Sequence, residues 1–439
     1  MAVTYIFIVV LGLQNVFINS GYAFGLLPFS GLKTIGDLLQ LAKEFPKLID
    51  EIQQLIEHDG LKQYRLGEDN EDKYLNATQL MHKYGHDAEI HHVTTEDKYK
   101  LTMYRIPGKG EPVFIMHGLL MSAVDWLTVG PHKALPYILA EQGYDVWMGN
   151  ARGSSVDSRG HVYLSAEDDV ARYWDFSWDE IGRYDLPAMI DYVLQETNRT
   201  AVKYVGHSQG TTSFFVMCSE RPEYNEKISI MVALSPIAYM SHMESPLTKL
   251  VSPAAGAFGE IIRNVIGFHR LNPQNPLIEI LTKIICGTTE LATLICSNMN
   301  FLVSGFGIGQ MNVTNLPVIF AHAPAGIAFK QLFHYAQEIN SGEFEKYDNG
   351  PIRNLQLYNS MKPPRYSLEK VSAPVALFYK KKGDWFAGYK DVQKLRKKLS
   401  NVVDFYEIPF KGFCHTDFVW GKDVKELVYK RVLKLFKKY

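Results

Sequence analysis

Cysteine is scarce in this chain: Cys218, Cys286, Cys296 and Cys414 are the only four in 439 residues, and no two form a C-x-x-C pair. That is too few for a disulfide scaffold, and the paired-cysteine signature of a structural zinc site is missing. Excess charge is lacking as well. Lys+Arg 46 against Asp+Glu 47 leaves a formal net charge of −1 and a pI near 6.9. Such a surface offers no field for a phosphate backbone, so a nucleic-acid partner is not expected. The chain has no internal repeat, no low-complexity tract and no Walker-type glycine loop, which argues against solenoids and P-loop nucleotide sites. No apolar run is long enough for a comfortable membrane span.

What is present describes an ordinary folded protein, with 46% hydrophobic and 21% charged residues. A chain of this length holds two or three domains, or one α/β domain with insertions. Residues 2–13 are apolar, and small residues follow near Gly21-Tyr22-Ala23. So short a run reads as a secretory signal over 1–23 rather than a spanning helix. Three N-x-S/T sequons, at Asn76, Asn198 and Asn312, fit glycosylation along that route. Secretion is therefore the expected destination, with the lysosome as the alternative. In an oxidising compartment the short loop between Cys286 and Cys296 could be closed. Over 24–67 lies an amphipathic segment, in which apolar residues recur at helical spacing from Leu32 to Ile56 and Pro46 splits the run. A propeptide, an interface-binding element and plain packing all fit it. Gly60 to Asp72 reads as a polar linker.

From about Glu89 the texture is that of strands and helices in turn. Residues 91–95 and 100–106 alternate as an antiparallel pair does, and Pro107-Gly108 turns the chain. Pro112-Val113-Phe114-Ile115-Met116 is a continuous apolar strand of the buried parallel kind, ending in the tight turn His117-Gly118-Leu119-Leu120. A helix over 134–141, a strand over 144–148, a helix over 185–196 with Pro187 in its first turn, and a strand over 201–205 follow. This alternation predicts an α/β fold, a mostly parallel sheet with helices on both faces. Residues 68–235 form the first part of its core.

The last of these strands runs into Gly206-His207-Ser208-Gln209-Gly210, a G-x-S-x-G turn. By composition alone the pentapeptide is roughly a one-in-seven coincidence in a chain of this length. Its place, after a buried strand and before a helix starting at Gln209, is what the nucleophile turn of a serine hydrolase demands. A serine hydroxyl attacks only when a base takes its proton and a third group orients that base. In sheet hydrolases the three arrive in the order Ser, acid, His, on loops after successive strands. After a strand at 229–234 the regular pattern breaks over 236–364, whose apolar helix-like pieces read as a cap inserted into the sheet. The core resumes over 365–439. There the strand 374–379 leads to Asp384 and the strand 404–408 to His415, before a helix over 423–438. Asp391 and Asp417 are rival acids, but Asp391 falls in a helix and Asp417 follows the histidine as a capping residue. His415 is the only histidine after His334. The oxyanion would be held by two backbone N–H groups, those of Gln209 and Leu119. His117 is read as a turn former.

Five stretches carry a family resemblance. HGLL at His117 to Leu120, GYDVWMGNARG at Gly143 to Gly153, YDLPAMIDYV at Tyr184 to Val193, YVGHSQGTT at Tyr204 to Thr212 and HAPAG at His322 to Gly326 resemble the acid lipase family of α/β hydrolases. That family includes gastric, lysosomal and many insect lipases. The resemblance runs from about Tyr74 to the C-terminus and leaves out the amphipathic segment. It implies the α/β-hydrolase fold with a helical cap, Ser208 as nucleophile, Asp384 as acid, His415 as base, and an oxyanion hole of Leu119 and Gln209. It also implies a cysteine pair at Cys286 and Cys296. Departures fall in the acid loop, Lys380-Lys381-Lys382-Gly383-Asp384, around His415, and in Asn150-Ala151-Arg152-Gly153. None removes a triad member, and they leave the substrate range open.

The expected activity is hydrolysis of carboxylic esters of neutral lipids, triacylglycerol foremost, at a droplet, micelle or membrane surface. It would run through an acyl-enzyme on Ser208, with no metal, cofactor or obligate protein partner. A sterol- or retinyl-ester hydrolase is the alternative within catalysis, and a catalytically silent lipid carrier or storage protein is the alternative outside it.

Overall fold

A strand apolar on both faces belongs in the middle of a sheet covered from both sides. The computed structural model has such a sheet at its centre; it describes residues 70–245, 248, 252, 263, 267–271 and 309–439. The readings made for 1–23 and 24–67, and for Cys286 and Cys296, lie outside the described residues. All described residues belong to one compact unit, Tyr64–Asn275 with Asn298–Tyr439.

In chain order the strands of the large sheet are β1 (Glu89–Thr94), β2 (Tyr99–Ile106), β3 (Pro112–Met116), β4 (Asp145–Gly149), β5 (Val202–His207), β6 (Ile228–Leu234), β7 (Val375–Tyr379) and β8 (Val402–Glu407). They lie side by side as β1-β2-β4-β3-β5-β6-β7-β8, and the two-residue strand Gly160–His161 adds to β2. β2 is antiparallel to both β1 and β4, whereas every pairing from β4 across to β8 is parallel. β3, β4, β5 and β7 are buried along their whole length, while β1 at the edge alternates half-buried and exposed residues.

The described helices of four or more residues that matter here are α1 (Ala77–Lys83), α2 (Leu135–Glu141), α3 (Leu186–Thr197), α4 (Gln209–Glu220), α5 (Leu316–His322), α6 (Phe329–Ser341), α7 (Pro351–Tyr358), α8 (Tyr389–Lys398), α9 (Asp417–Trp420) and α10 (Lys430–Phe436). The crossover through α2 runs one way along the sheet and those through α3 and α4 run the other. Right-handed connection therefore puts α2 on one face and α3 and α4 on the opposite one. Between β6 and β7 the described residues hold α5 to α7 and a two-stranded ribbon, Arg270–Leu271 with Ile327–Ala328, but no strand of the large sheet. Among the described residues no helix is long and apolar enough to cross a membrane.

Two local differences from the sequence reading have physical causes. The linker was expected to run to Asp72, yet Glu71–Tyr74 forms a 3-10 turn capped by Asn70. Asp72 is buried there and accepts from Lys83 Nζ at 2.8 Å and from the Tyr84 hydroxyl. The helix expected from Asp185 begins sooner. Ser177 caps a helical turn at Trp178–Glu180, and a π-type turn over Ile181–Asp185 leads into α3. Pro187 has no N–H to give back, and the turn ahead of it is widened, with Leu186 N–H reaching Ile181 O.

The sheet's shape turns on one close approach. A Cβ added at Gly210 would stand 2.5 Å from Met116 O and 2.9 Å from His117 O, and one at Gly206 would stand 2.8 Å from the carbonyl of Gly210. The first turn of α4 is thus pressed against the ends of β3 and β5, where no side chain fits. Gly210→Ala should lower stability by about 2–3 kcal/mol, read as a fall in Tm. An unchanged Tm would mean that α4 can lift away from the sheet freely.

Candidate active site

Ser208 stands between β5 and α4 with φ 52° and ψ −118°. A non-glycine residue holds such a conformation only where its surroundings enforce it. Here they do. Its N–H donates to Leu234 O at the end of β6 (3.0 Å), and its carbonyl accepts from Thr211 N–H (2.8 Å) and Thr211 Oγ1 (2.6 Å). Thr211 Oγ1 in turn accepts from Ile237 N–H at 2.9 Å, and the Tyr204 hydroxyl spans the turn to Gly210 O at 2.8 Å. The strained serine is pinned by the end of β6 and by the first turn of α4.

The loops after β7 and β8 bring Asp384 and His415 together, both buried. His415 Nδ1 lies 2.9 Å from Asp384 Oδ1, and the same oxygen accepts from Phe386 N–H (3.1 Å) and Ala387 N–H (3.0 Å). Burial alone would raise the Asp384 pKa. The facing His415, then hydrogen bonds from His415, Ser235 and Ala387, outweigh it and hold the carboxyl below its ordinary value. An ionised Asp384 leaves the shared proton on Nδ1, which frees Nε2 as a base.

The two rival acids go elsewhere. Asp417 accepts from Cys414 N–H at 2.6 Å and so shapes the turn carrying His415; its burial pushes the carboxyl up to about 8. Asp391, on α8, accepts from His242 N–H at 2.6 Å and lies 2.8 Å from His242 Nδ1.

Two residues of the site escaped the sequence reading. His207 Nε2–H donates to His415 O at 2.8 Å, with ring centroids 5.0 Å apart, so the residue preceding Ser208 is tied to the backbone of the histidine. Ser235, fully buried with φ 52°, places its Oγ 2.5 Å from Asp384 Oδ2 and 2.6 Å from His415 Nδ1. Its one signal in the sequence is its place, directly after a buried parallel strand, where the other site loops also begin.

The turn after β3 lies against Ser208: a Cβ at Gly118 would meet Ser208 Cβ at 3.1 Å and His207 Nδ1 at 2.9 Å. Leu119 and Gln209 flank this contact. Among the described residues the Leu119 N–H has no backbone acceptor, and Gln209, first in α4, lacks an intrahelical one. His117 acts as the turn reading expected. Its Nδ1–H donates to Gly118 O (2.8 Å), its Nε2 accepts from Ala151 N–H (3.1 Å), and burial drops its pKa to about 4. The HAPAG stretch backs the same turn, Ala325 N–H donating to Leu120 O at 2.7 Å.

Of the sequons, Asn198 is exposed in a left-handed conformation at the end of α3. Asn76 is exposed as the cap of α1, and Asn312 is half-buried with Oδ1 accepting from Thr314 Oγ1 at 2.7 Å.

Comparison with known proteins bears on this geometry. A family described as "alpha/beta hydrolase fold" matches residues 111–420, and one described as "Partial alpha/beta-hydrolase lipase region" matches residues 77–130. Lipase 3 of Drosophila melanogaster is 44% identical over 363 residues, which is 81% of this chain and 91% of that protein. Lipase 1 of the same species is 42% identical over 369 residues, 84% of this chain and 81% of its own. The gastric triacylglycerol lipase of Mus musculus is 37% identical over 382 residues, covering 84% and 94%.

The site also sets a pH dependence. Burial, then the neighbouring His415, lowers the His207 pKa to about 3. An unfolded chain takes a proton on this residue below about 6.5, while the folded chain stays neutral until about 3. The stability that His207 contributes is therefore present above pH 6.5 and lost as pH falls through that window. His207→Gln keeps an N–H for His415 O but cannot titrate, so its Tm should fall less steeply than the wild type's between pH 6.5 and 4. Equal slopes in calorimetry would mean that the folded protein protonates His207 there.

Proposed function

The chain belongs to the lipases of the α/β-hydrolase family, and from that premise we propose that it hydrolyses neutral-lipid esters, triacylglycerol foremost, through an acyl-enzyme on Ser208. The observation that carries this reading is the strained serine at the start of α4, on the same sheet edge as the bonded His415–Asp384 pair.

The proposed steps are those of a serine hydrolase. Ser208 Oγ attacks the ester carbonyl carbon while His415 Nε2 takes its proton. Asp384 keeps the Nδ1–H in place and faces the imidazolium as it forms. The N–H groups of Leu119 and Gln209 donate to the carbonyl oxygen as it becomes anionic, and the start of α4 adds its positive end. His415 passes the proton to the departing alcohol. Water, deprotonated by the same nitrogen, then attacks the acyl carbon, releases the fatty acid and restores the serine hydroxyl. Ser208→Ala should lower turnover by about a millionfold with Tm unchanged, and a fluorophosphonate should label Ser208 alone. Retention of most activity, or a label elsewhere, would sink the assignment.

A lipid aggregate is the fitting surface for this enzyme, and α7 supports that. Only Asn354 of this helix is buried. Its side chain fastens the helix by polar bonds, donating to Asp348 Oδ1 (2.6 Å) and Met361 O (3.2 Å) and accepting from Asn349 N–H (2.9 Å). The apolar residues of α7 point outward instead: Ile352 is 77% exposed, Leu355 52% and Leu357 49%, and Met361, just beyond the helix, is 65% exposed. Between Gly350 and Pro364 the chain carries Arg353 and Lys362 and no carboxylate, and the next cation, Arg365, pairs with Glu343 at 3.1 Å. Apolar side chains rimmed by cations suit the headgroup boundary of a lipid surface that carries some negative charge. By contrast, Arg431 on the basic helix α10 is spent on Asp404 at 2.7 Å.

Secretion fits the apolar opening segment and the exposed sequon at Asn198. Ile352→Ser with Leu355→Ser should cut hydrolysis of an emulsified triacylglycerol by roughly tenfold, by the apolar area withdrawn from the surface. Hydrolysis of a soluble short-chain ester should stay at the wild-type rate. Equal loss on both substrates would refute the docking role.

A further inference from the structure

Asp384 has two carboxylate oxygens and the triad accounts for only one. Oδ1 receives His415 and two backbone N–H groups. The donor to Oδ2 is Ser235 Oγ–H, at 2.5 Å. An anionic oxygen buried without a donor is strongly disfavoured, so Ser235 completes the shell of the charge.

Its proton bookkeeping goes further. Ser235 has a single hydroxyl proton, and that proton is committed to Asp384 Oδ2. Its contact with His415 Nδ1, at 2.6 Å, must then be accepted by an oxygen lone pair. Nδ1 therefore carries the hydrogen and divides it between Asp384 Oδ1 and Ser235 Oγ. The other tautomer would set a lone pair on Nδ1 against the carboxylate at 2.9 Å. The backbone makes this placement rigid. Ser235 is fully buried at φ 52°, its N–H donates to Phe378 O of β7 at 2.9 Å, and the preceding carbonyl, of Leu234, holds Ser208 N–H at 3.0 Å.

We propose that Ser235 is a positioning residue of the hydrolytic site, fixing His415 in the Nδ1–H tautomer and anchoring the free oxygen of Asp384. This rests on the assignment of His415 as base and Asp384 as its partner. As His415 takes the proton of Ser208, the new positive charge faces both Asp384 and the Ser235 lone pair. No bond to Ser235 forms or breaks.

The other titratable groups around Asp384 are His207, held neutral by burial, and Asp417, whose carboxyl burial pushes up to about 8. Removing the Ser235 donor raises the pH at which Asp384 takes a proton. The acid limb of the rate profile should therefore move to higher pH.

The test uses the full chain with Ser235→Ala and Ser235→Gly. Glycine relaxes the left-handed backbone, so a folding defect of the alanine variant would not carry over to it. On a soluble ester, kcat should fall by roughly 10- to 100-fold with KM nearly unchanged, and the acid limb of kcat should shift upward. Fluorophosphonate capture should slow in step, and the downfield proton resonance of His415 Nδ1–H should move. Wild-type kcat in the glycine variant, or a fall in kcat with an unmoved acid limb, would overturn the proposal. His415→Ala serves as the reference: an active H415A overturns the triad itself, whereas a dead H415A beside a fully active S235G overturns the role of Ser235 alone.

Discussion

The whole site hangs on the carbonyl of Leu234. It accepts the N–H of Ser208 and so holds the nucleophile turn in a conformation that a serine would leave if released. One residue later the backbone swings into another left-handed position, and Ser235 N–H is bound to β7. A single peptide at the end of β6 thereby connects three strands. It sets the serine on one side and the histidine–aspartate pair on the other. Parallel strands make this possible because their carboxyl ends open on the same edge, where backbone groups are no longer used by the ladder.

Packing and charge in the site serve the same end. Gly118 and Gly210 remove side chains where the β3 turn and α4 close on Ser208 and the end of β3. Burial keeps His117 and His207 neutral, so their ring nitrogens work as fixed donors and acceptors and add no charge beside His415. The negative charge of Asp384 is the exception, and it persists because four donors converge on it.

Much of this was legible in the chain. β3, β4 and β5 are nearly unbroken apolar runs, which only a two-sided core accepts, and their spacing implies crossovers. The G-x-S-x-G turn and Asp384 each lie just past such a run, and His415 follows the half-buried edge strand β8. Less visible was whatever depends on long-range geometry. Ser235 looks like any serine after a strand until its φ and the two distant loops are known. The widened turn at Ile181–Asp185 came from hydrogen bonding around Pro187, which periodicity does not register. In α7 the rule that apolar residues face inward is reversed, because Asn354 makes the anchoring bonds. Asp72 was taken for part of a solvated linker, since its partners Lys83 and Tyr84 lie a helix away.

The break between β6 and β7 has a consequence for synthesis. Ser235 and Asp384 are 149 residues apart in the chain, and His207 and His415 are 208 apart. On the proposed assignment, a ribosome that has finished β6 has released the nucleophile but neither its base nor its acid. Two strands are then still unmade, and β6 presents an unpaired edge until β7 arrives. On that assignment, hydrolysis therefore waits for the final stretch of the chain from β7 onward, and a chain cut before it leaves Ser208 with nothing to deprotonate it.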